Sequence, residues 1–378
     1  MTMKGVSFRY CALKLSMLGN GFTAVRAVLV GALAVVLALF AYNPPAWAGT
    51  PLLPVPISTV PSNGDVNPYG VLFIPGHMGG SLKPGDILVS NFNDAANVMG
   101  TGTTIVDIRK GAQLATPFYT AAGTADGLDL ALGQLDNFIV VGNVPVTGGT
   151  AGAGALTVLN SSGGVVTSLT DPSGHFIDGP WGLAIVSHGK NVTLYVSNLL
   201  NASVWRLAGT VSKSGVVLTS ETQIGGGYLN SVGFPAAANG PAGLAYDSKH
   251  DVLYVASEVD EAIFAISGAS KLGTTTTPGT VVYSDATHLH GPTGLIQLGN
   301  GDLLTANDDG LNTVATSPSE LTEFTPMAPT GTFVTQYSVD PANGGAFGLA
   351  LLRNKTDDLL AYVDDNAATL SILSLFFK

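Results

Sequence analysis

One short phrase recurs along this sequence and limits the folds that it can adopt. GPAGLAY (residues 240–246) and GPTGLIQ (291–297) share Gly-Pro-x-Gly followed by an apolar strand, and NPYGVLF (67–73), GPWGLAI (179–185) and GAFGLAL (345–351) are related copies. The second glycine of the phrase falls at Gly70, Gly182, Gly243, Gly294 and Gly348, with gaps of 112, 61, 51 and 54 residues. Because 112 is twice 56, a sixth, degenerate copy is expected at ADGLDLALG, with Gly127 in the glycine position. Six similar units are therefore predicted.

Each unit except the last contains four apolar segments of strand length. The second is the most regular: DILVSN, FIVVGN, TLYVSN, VLYVAS, DLLTAN and LLAYVD. Hairpin-length connections predict one antiparallel sheet per unit, and such sheets bury both faces only by stacking in a ring. The last unit stops at Lys378 without a fourth strand, whereas VPISTV (55–60) stands before the first unit. The prediction is an all-β, six-bladed β-propeller whose N-terminal strand completes the last blade, with blades starting near residues 67, 124, 179, 240, 291 and 345.

The first 48 residues are typical of an export signal. Four basic residues precede the apolar run AVLVGALAVVLALFA, and small Ala46 and Ala48 stand where cleavage before Gly49 requires them. Residues 1–48 are therefore predicted to be a signal peptide and 49–378 the propeller, in a secreted or periplasmic protein. An uncleaved N-terminal anchor is the alternative. Cleavage would remove Cys11, the only cysteine, and with it any disulfide or cysteine chemistry.

Composition excludes some partners. The net charge is −11, and charged residues make up only 11% of a chain that has 48 Gly and 21 Pro. An acidic chain without a basic run lacks the electrostatic footprint of a nucleic-acid-binding protein. We expect a monomer that contacts no nucleic acid and, once the signal is cleaved, no membrane.

At GPAGLAY…LYVAS and GPWGLAI…LYVSN the sequence resembles NHL and YVTN-type propeller repeats. It is also similar to the propellers of the gluconolactonase and senescence-marker group, and VNPYGVLFIPGHMGG with GDILVSNFN resembles a family of exported bacterial propeller proteins. The resemblance covers nearly all of residues 55–377. It implies a six-bladed fold, but it does not select one activity, because propellers carry binding sites and enzymes alike.

The last residue of every second strand is polar. These six positions, called the polar ring below, are Asn91, Asn143, Asn198, Ser257, Asn307 and Asp364. Asn and Asp commonly end strands by bonding their own turns. Alternatively, oxygens around a propeller axis suit a hard cation such as Ca²⁺.

The gluconolactonase resemblance implies such an axial metal, with candidate ligands Asn143, Asn198, Asn307 and Asp364. That group also takes a glutamate from its first blade, where this sequence has Tyr69 and Gly70.

Other polar groups and two long hairpins accompany the polar ring. Acidic residues follow three strands, at Glu258, Asp260 and Glu261, at Asp308 and Asp309, and at Asp364 and Asp365; His288 and His290 alternate before the fifth blade. Tyr69, Trp181 and Phe347 precede the phrase glycine, either packing between blades or lining the channel mouth. The long hairpins, FNDAANVMGTGTTIVDI in blade 1 and NVPVTGGTAGAGALTVL in blade 2, are predicted to project from the same face as the polar ring.

Two functions follow as hypotheses. The first is a non-enzymatic scaffold that binds a small molecule, glycan or protein at the loop-bearing face. The alternative is a Ca²⁺-dependent, lactonase-like hydrolase with its site on the axis. No G-x-S-x-G elbow supports a serine hydrolase, and the sequence singles out no catalytic residue.

Overall fold

A computed structural model describes residues 50–51, 54–123, 126–233, 237–307, 319–354 and 358–375. The predicted signal segment and the acidic pair Asp308 and Asp309 lie outside this range. Regular structure in the described residues is all β. Within that same range, no helix has the length and apolar character that crossing a membrane requires.

Two short strands open the described chain, and they are followed by five blades with four strands each and a sixth blade with three. The opening strands are β1 (Thr50–Pro51) and β2 (Ile57–Ser58). Blade 1 contains β3 (Val66–Phe73), β4 (Ile87–Asn93), β5 (Thr104–Ile108) and β6 (Ala115–Thr120). Blade 2 contains β7 (Leu128–Leu135), β8 (Phe138–Asn143), β11 (Ala155–Asn160) and β12 (Val165–Leu169), with a small ribbon of β9 (Val146–Thr147) and β10 (Thr150–Ala151) in its long hairpin.

Blade 3 has the longest outer strands. It contains β13 (Pro180–His188), β14 (Asn191–Asn198), β15 (Ser203–Ser212) and β16 (Gly215–Gly226), and a ribbon of β17 (Ser231–Gly233) and β18 (Ala237–Asn239) follows. Blade 4 contains β19 (Pro241–Asp247), β20 (Val252–Ser257), β21 (Ala262–Ser267) and β22 (Thr280–Tyr283). Blade 5 contains β23 (Pro292–Gln297), β24 (Leu303–Asn307), β25 (Glu320–Thr325) and β26 (Thr332–Ser338). Blade 6 contains β27 (Ala346–Leu352), β28 (Asp358–Asp364) and β29 (Thr369–Leu375).

The N-terminal segment closes the ring. Strand β2 pairs antiparallel with β29, with Ile57 opposite Leu370, and supplies the fourth strand of blade 6. Both the backbone N–H and the hydroxyl of Thr59 donate to Ala368 O. Strand β1 also adds to blade 5, parallel to β26. The predicted six-bladed β-propeller, with its last blade completed from the N-terminus, is confirmed.

The phrase glycine lets neighbouring blades touch. A Cβ on Gly348 would lie 1.7 Å from Tyr69 O of blade 1, and one on Gly182 would lie 1.9 Å from Ala242 O of blade 4. Only glycine tolerates so close a backbone approach. Each first strand also bulges within the phrase, as where the pairing shifts between Pro68 and Val71. The phrase thus encodes the contact between innermost strands.

The degenerate copy in blade 2 is aligned differently from the prediction. Leu128 pairs with Asn143, so Leu128 takes the place of the phrase proline. Gly127 therefore corresponds to the first glycine of the phrase, not the second, and Val144 N donates to its carbonyl just as Leu199 N donates to Gly179 O. The bulge between Leu128 and Leu132 is longer than the bulges of the other first strands, and for this reason the sequence pattern does not show this register.

An aromatic cluster fills one end of the propeller axis. This aromatic plug consists of Tyr69, Phe92, Trp181 and Phe347, all buried. Tyr69 stacks on Phe347 with ring centroids 3.7 Å apart, and Trp181 meets both edge-on at 5.9 and 6.5 Å. Blades 3 and 6 lie on opposite sides of a six-membered ring, so Trp181 and Phe347 meet only across the axis. These aromatic side chains close the channel mouth rather than line an open one.

A carboxyl group is buried beside this end of the axis. Asp129 is 0% exposed, and its Oδ1 accepts a 2.8 Å hydrogen bond from Ala131 N. Oδ2 has no hydrogen-bond partner among the described residues. Burial raises the pKa of Asp129 well above 3.8, because a low-dielectric environment disfavours the charged form.

We expect Asp129→Asn to become progressively more stable than the parent chain as pH rises from about 4 to 7. The pKa of Asp129 is higher in the folded chain than its ordinary value of 3.8 in the unfolded chain. Its contribution to the free energy of unfolding is therefore complete below pH 3.8 and is lost as the pH rises toward the pKa of the folded chain. The free-energy difference should therefore grow by up to about 1.4 kcal/mol per pH unit. Urea unfolding across this pH range measures it.

Asp171→Asn is the control with the opposite sign. Burial opposes ionisation of Asp171, but hydrogen bonds from Ser173, Phe176 and His175 lower its pKa to about 2. Its contribution to stability is present above pH 3.8 and is lost as pH falls toward 2. A stability difference between Asp129→Asn and the parent chain that is independent of pH would contradict the prediction.

Candidate functional site

The polar ring occupies one register position in every blade. Each of its residues pairs with the phrase proline, or with the residue in its place, on the first strand of its own blade. The pairs are Asn91–Pro68, Asn143–Leu128, Asn198–Pro180, Ser257–Pro241, Asn307–Pro292 and Asp364–Ala346. The structure thus places the six residues at equivalent positions, all at the same end of the propeller, which we call the ring face.

Side chains of the polar ring bond to nearby backbone. Asn198 Oδ1 accepts from Asp178 N at 3.0 Å, and Asn307 Oδ1 accepts from His290 N at 3.1 Å. In both cases the bond ties the second strand to the connection that enters the same blade. Asn143 Oδ1 accepts from Ala155 N at 2.7 Å. These bonds are those expected of residues that end strands.

The proposed calcium ligands are therefore already engaged within their own blades. An amide oxygen that accepts one backbone N–H keeps a second lone pair for a cation. Among the described residues, no group of three or more His, Cys, Asp or Glu side chains is arranged to hold a metal ion. Binding of Ca²⁺ by Asn143, Asn198, Asn307 and Asp364 stays a prediction.

The two histidines before blade 5 make separate contacts. His288 Nδ1 lies 2.7 Å from Asp285 Oδ2, and its ring stacks on Phe333 at 3.8 Å. The ring of His290 lies 3.4 Å, through Nε2, from Thr287 O. The two imidazoles therefore contact different groups, and these contacts do not join them in one metal-binding or ligand-binding site.

The described acidic residues after the second strands differ in burial, since Asp260 and Asp364 are half-buried and Glu261 is exposed, whereas two others are buried. Glu258 is 0% exposed; Trp181 Nε1 donates to its Oε1 at 3.2 Å and Gly240 N to its Oε2 at 2.8 Å. Asp365 is also buried. Burial, with the neighbouring Asp340, raises the pKa of Asp364 to about 6. Carboxyl groups of blades 4 and 6 are therefore buried or half-buried on the ring face.

A polar pocket of about 450 Å³ opens on the ring face between blades 1 and 6. This ring-face pocket is lined by Asn67, Asn93, Asn97, Val98, Met99, Asp365 and Asn366. The long hairpin of blade 1 supplies most of this lining, strand β3 supplies Asn67, and the turn after β28 supplies Asp365 and Asn366. Four side-chain amides and one carboxylate thus face one cavity.

Hydrogen bonds hold the amides of the ring-face pocket in place. Asn93 Nδ2 donates to Asn97 Oδ1 at 2.8 Å, and Asn93 Oδ1 accepts from Gly100 N at 3.3 Å. Asn366 Nδ2 donates to Asn343 O at 2.7 Å. Asn67 and Asn97 both have positive φ, 59° and 58°. Non-glycine residues are uncommon there, and such conformations cluster at functional sites.

The second long hairpin lies beside the first. Val146 N donates to Gly100 O at 3.2 Å, joining the hairpins of blades 2 and 1. A Cβ on Gly100 would lie 2.3 Å from Val146 Cγ2, so the two hairpins pack tightly. The hairpin of blade 2 therefore supports the blade 1 hairpin, which forms most of the ring-face pocket.

The sequence pattern indicated the ring face as a candidate, but it did not indicate most residues of this pocket. It singled out Asp365 and the blade 1 hairpin, but not Asn67, Asn93, Asn97 or Asn366. The asparagine-rich run from Asn91 to Asn97 was the available signal.

Comparisons with known proteins found similarity in structure only. No protein-family model and no curated protein matches the chain. A luciferin-regenerating enzyme is similar in structure at a TM-score of 0.50, with 9% identity over 86% of this chain and 98% of that one. A candidate gluconolactonase has a TM-score of 0.48, with 11% identity over 88% and 96%. The WD40 β-propeller domain of Doa1 has a TM-score of 0.46, with 13% identity over 85% and 95%. At such identities the likeness concerns fold alone.

Proposed function

We propose that this propeller is a binding module that holds a polyhydroxylated small molecule, or the end of a glycan, in the ring-face pocket. The observation that carries the proposal is the convergence of four amides and Asp365 on a cavity of about 450 Å³. Small-ligand sites commonly have volumes of about 300–1,000 Å³. Export, predicted from residues 1–48, would bring the site to extracytoplasmic ligands.

The amide side chains of the pocket can both donate hydrogen bonds to, and accept them from, the hydroxyl groups of a ligand. Each Asn has one carbonyl acceptor and two N–H donors, whereas a hydroxyl both donates and accepts. Val98, which is 46% exposed, and Met99 provide apolar surface in the same pocket. This combination matches a ligand with hydroxyls around its edge and C–H groups on its face.

Hydrogen bonds also fix side chains of the ring-face pocket before a ligand binds. Asn93 and Asn97 are hydrogen-bonded to each other, and Asn67 Nδ2 lies 3.5 Å from the hydroxyl of Tyr69, a member of the aromatic plug. A rigid lining loses less side-chain entropy when a ligand binds. The positive φ of Asn67 and Asn97 is a conformation that asparagine adopts more readily than most non-glycine residues.

The double variant Asn67→Gly/Asn97→Gly is expected to weaken saccharide binding by about 30-fold, because two hydrogen bonds of about 1 kcal/mol each are lost. Glycine keeps the positive φ at both positions and removes only the amides. Neutral mono- and oligosaccharides on an array would identify a ligand, and calorimetry with that saccharide would measure the change.

Asp136→Gly is the matched control. Asp136 also has positive φ, 49°, but lies in the turn between β7 and β8, at the opposite end of the blade. Its substitution should leave saccharide affinity unchanged. Failure of every neutral saccharide to bind at millimolar concentration, or equal effects of control and double variant, would refute the proposal.

The hydrolase alternative has one observation in its favour. With a pKa of about 6, Asp364 is suited to proton transfer near neutral pH, and Asp365 of the ring-face pocket follows it directly. Stoichiometric calcium in the purified protein, together with lactone hydrolysis abolished by Asp364→Asn, would favour the hydrolase over the binding module. A metal-free protein indifferent to chelators would favour the binding module.

A further inference from the structure

A second pocket, of about 360 Å³, opens at the opposite end of the axis from the polar ring. This axial pocket is formed by the first strands of all six blades. Its side chains are mainly aliphatic, for example Val71, Leu183, Ile185, Ile296 and Leu351. None of the residues that line it has a charged side chain, and Gln134 is its one polar side chain.

Several of these aliphatic side chains remain partly exposed. Leu183, Ile185, Ile296 and Leu351 are only half-buried, although they converge on one concave surface. Apolar side chains left accessible together mark a binding site more often than apolar side chains scattered singly over a surface. The concave shape, drawn from six blades at once, fits a small molecule rather than a flat protein surface.

A smaller cavity of about 60 Å³ extends the axial pocket inward. The two share Val71, Leu183, Leu244, Leu295 and Leu349. Each first strand is also the terminal strand of its sheet, so its axial edge has no strand partner. Backbone groups on such edges can bond to polar groups other than strands, as Ala242 O and Phe347 O accept from the hydroxyls of Ser197 and Thr293. The interior therefore offers apolar side chains together with uncharged hydrogen-bonding groups.

We propose that the axial pocket is a second binding site, for an uncharged, mainly apolar small molecule that carries one hydroxyl or amide group. The apolar body would contact the leucine and isoleucine side chains, and the polar group would bond to a free strand edge. At the ~30 Å³ that a water molecule occupies in the liquid, the pocket holds roughly a dozen non-hydrogen atoms. A charged ligand has no counter-charge there, since the lining has none.

The test uses the neutral fluorophore 1-naphthol, whose two fused rings fit the volume of the axial pocket and which carries the one hydroxyl group that the proposal requires. We expect saturable binding with a Kd on the order of 10 µM. Ile185→Trp, which places a bulky side chain in the axial pocket, should weaken binding at least tenfold. Val217→Trp is the matched control, because Val217 is 63% exposed on the outer strand of blade 3, and it should leave the affinity unchanged.

A second variant distinguishes loss of binding from loss of folding. Ile296→Gln changes the polarity of the half-buried mouth with little change in volume, and should weaken fluorophore binding several-fold while thermal unfolding stays near that of the parent chain. Asn67→Gly/Asn97→Gly should not affect the fluorophore, so this proposal can fail independently of saccharide binding. Absence of saturable binding, or equal binding by the Ile185→Trp and Val217→Trp variants, would overturn it.

Discussion

A Gly348→Ala variant should lose about 4 kcal/mol or more of its free energy of unfolding, an exceptionally large effect for one added methyl group. The new Cβ would lie 1.7 Å from Tyr69 O and 2.9 Å from the carbonyl carbon of the same residue. Both are backbone atoms of the neighbouring blade, so relief requires blades 6 and 1 to separate. Separation would also disturb the stacking of Tyr69 on Phe347 in the aromatic plug. Urea unfolding followed by tryptophan fluorescence measures the loss.

Gly76→Ala is the matched control for this substitution. A Cβ at Gly76 would have no heavy atom within 4 Å, and its φ is not in the left-handed region. Alanine there should leave stability within about 0.5 kcal/mol or raise it slightly, because it restricts the unfolded chain. Similar stabilities for the Gly348→Ala and Gly76→Ala variants would show that the phrase glycine does not mediate blade contact.

The fold could be predicted because its key contacts are repeated. Gly182, Gly243, Gly294 and Gly348 each allow the same approach between neighbouring first strands, so the sequence shows the constraint several times. Blade 2 lacks the proline and shifts the glycine, and there the alignment of Gly127 was wrong. Repetition, rather than any single residue, made the prediction of six blades secure.

The candidate site was harder to predict because its parts are distant in sequence. Asn67 and Asn366 line the same pocket, yet almost the whole propeller separates them in the chain. They meet only because blade 6 closes against blade 1. By contrast, the sequence predicts that the polar ring occupies one equivalent position in every blade. It does not predict the hydrogen-bond donors to the ring, such as Asp178 N and His290 N, because these lie in irregular connections.

Closure of the ring connects the N-terminal strand with the two blades that form the ring-face pocket. The pocket lies between blades 1 and 6, and β2 completes blade 6. Thr59, directly after β2, accepts a 3.1 Å hydrogen bond from Asn91 Nδ2 of blade 1 through its backbone carbonyl. The segment therefore contacts both blades that form the pocket.

Ile57→Asp is expected to destabilise the propeller by about 4 kcal/mol and to weaken saccharide binding with it. Ile57 is 5% exposed and lies in the apolar core that includes Leu370 and Val363 of blade 6, where a carboxylate would be buried without a partner. Val55→Asp is the control, because Val55 is 72% exposed just before β2 and its change should cost under about 0.5 kcal/mol. Hydrogen exchange should show the largest loss of protection in β29, which pairs with β2. Unchanged protection of β29 in the Ile57→Asp variant would mean that the ring closes without the N-terminal strand.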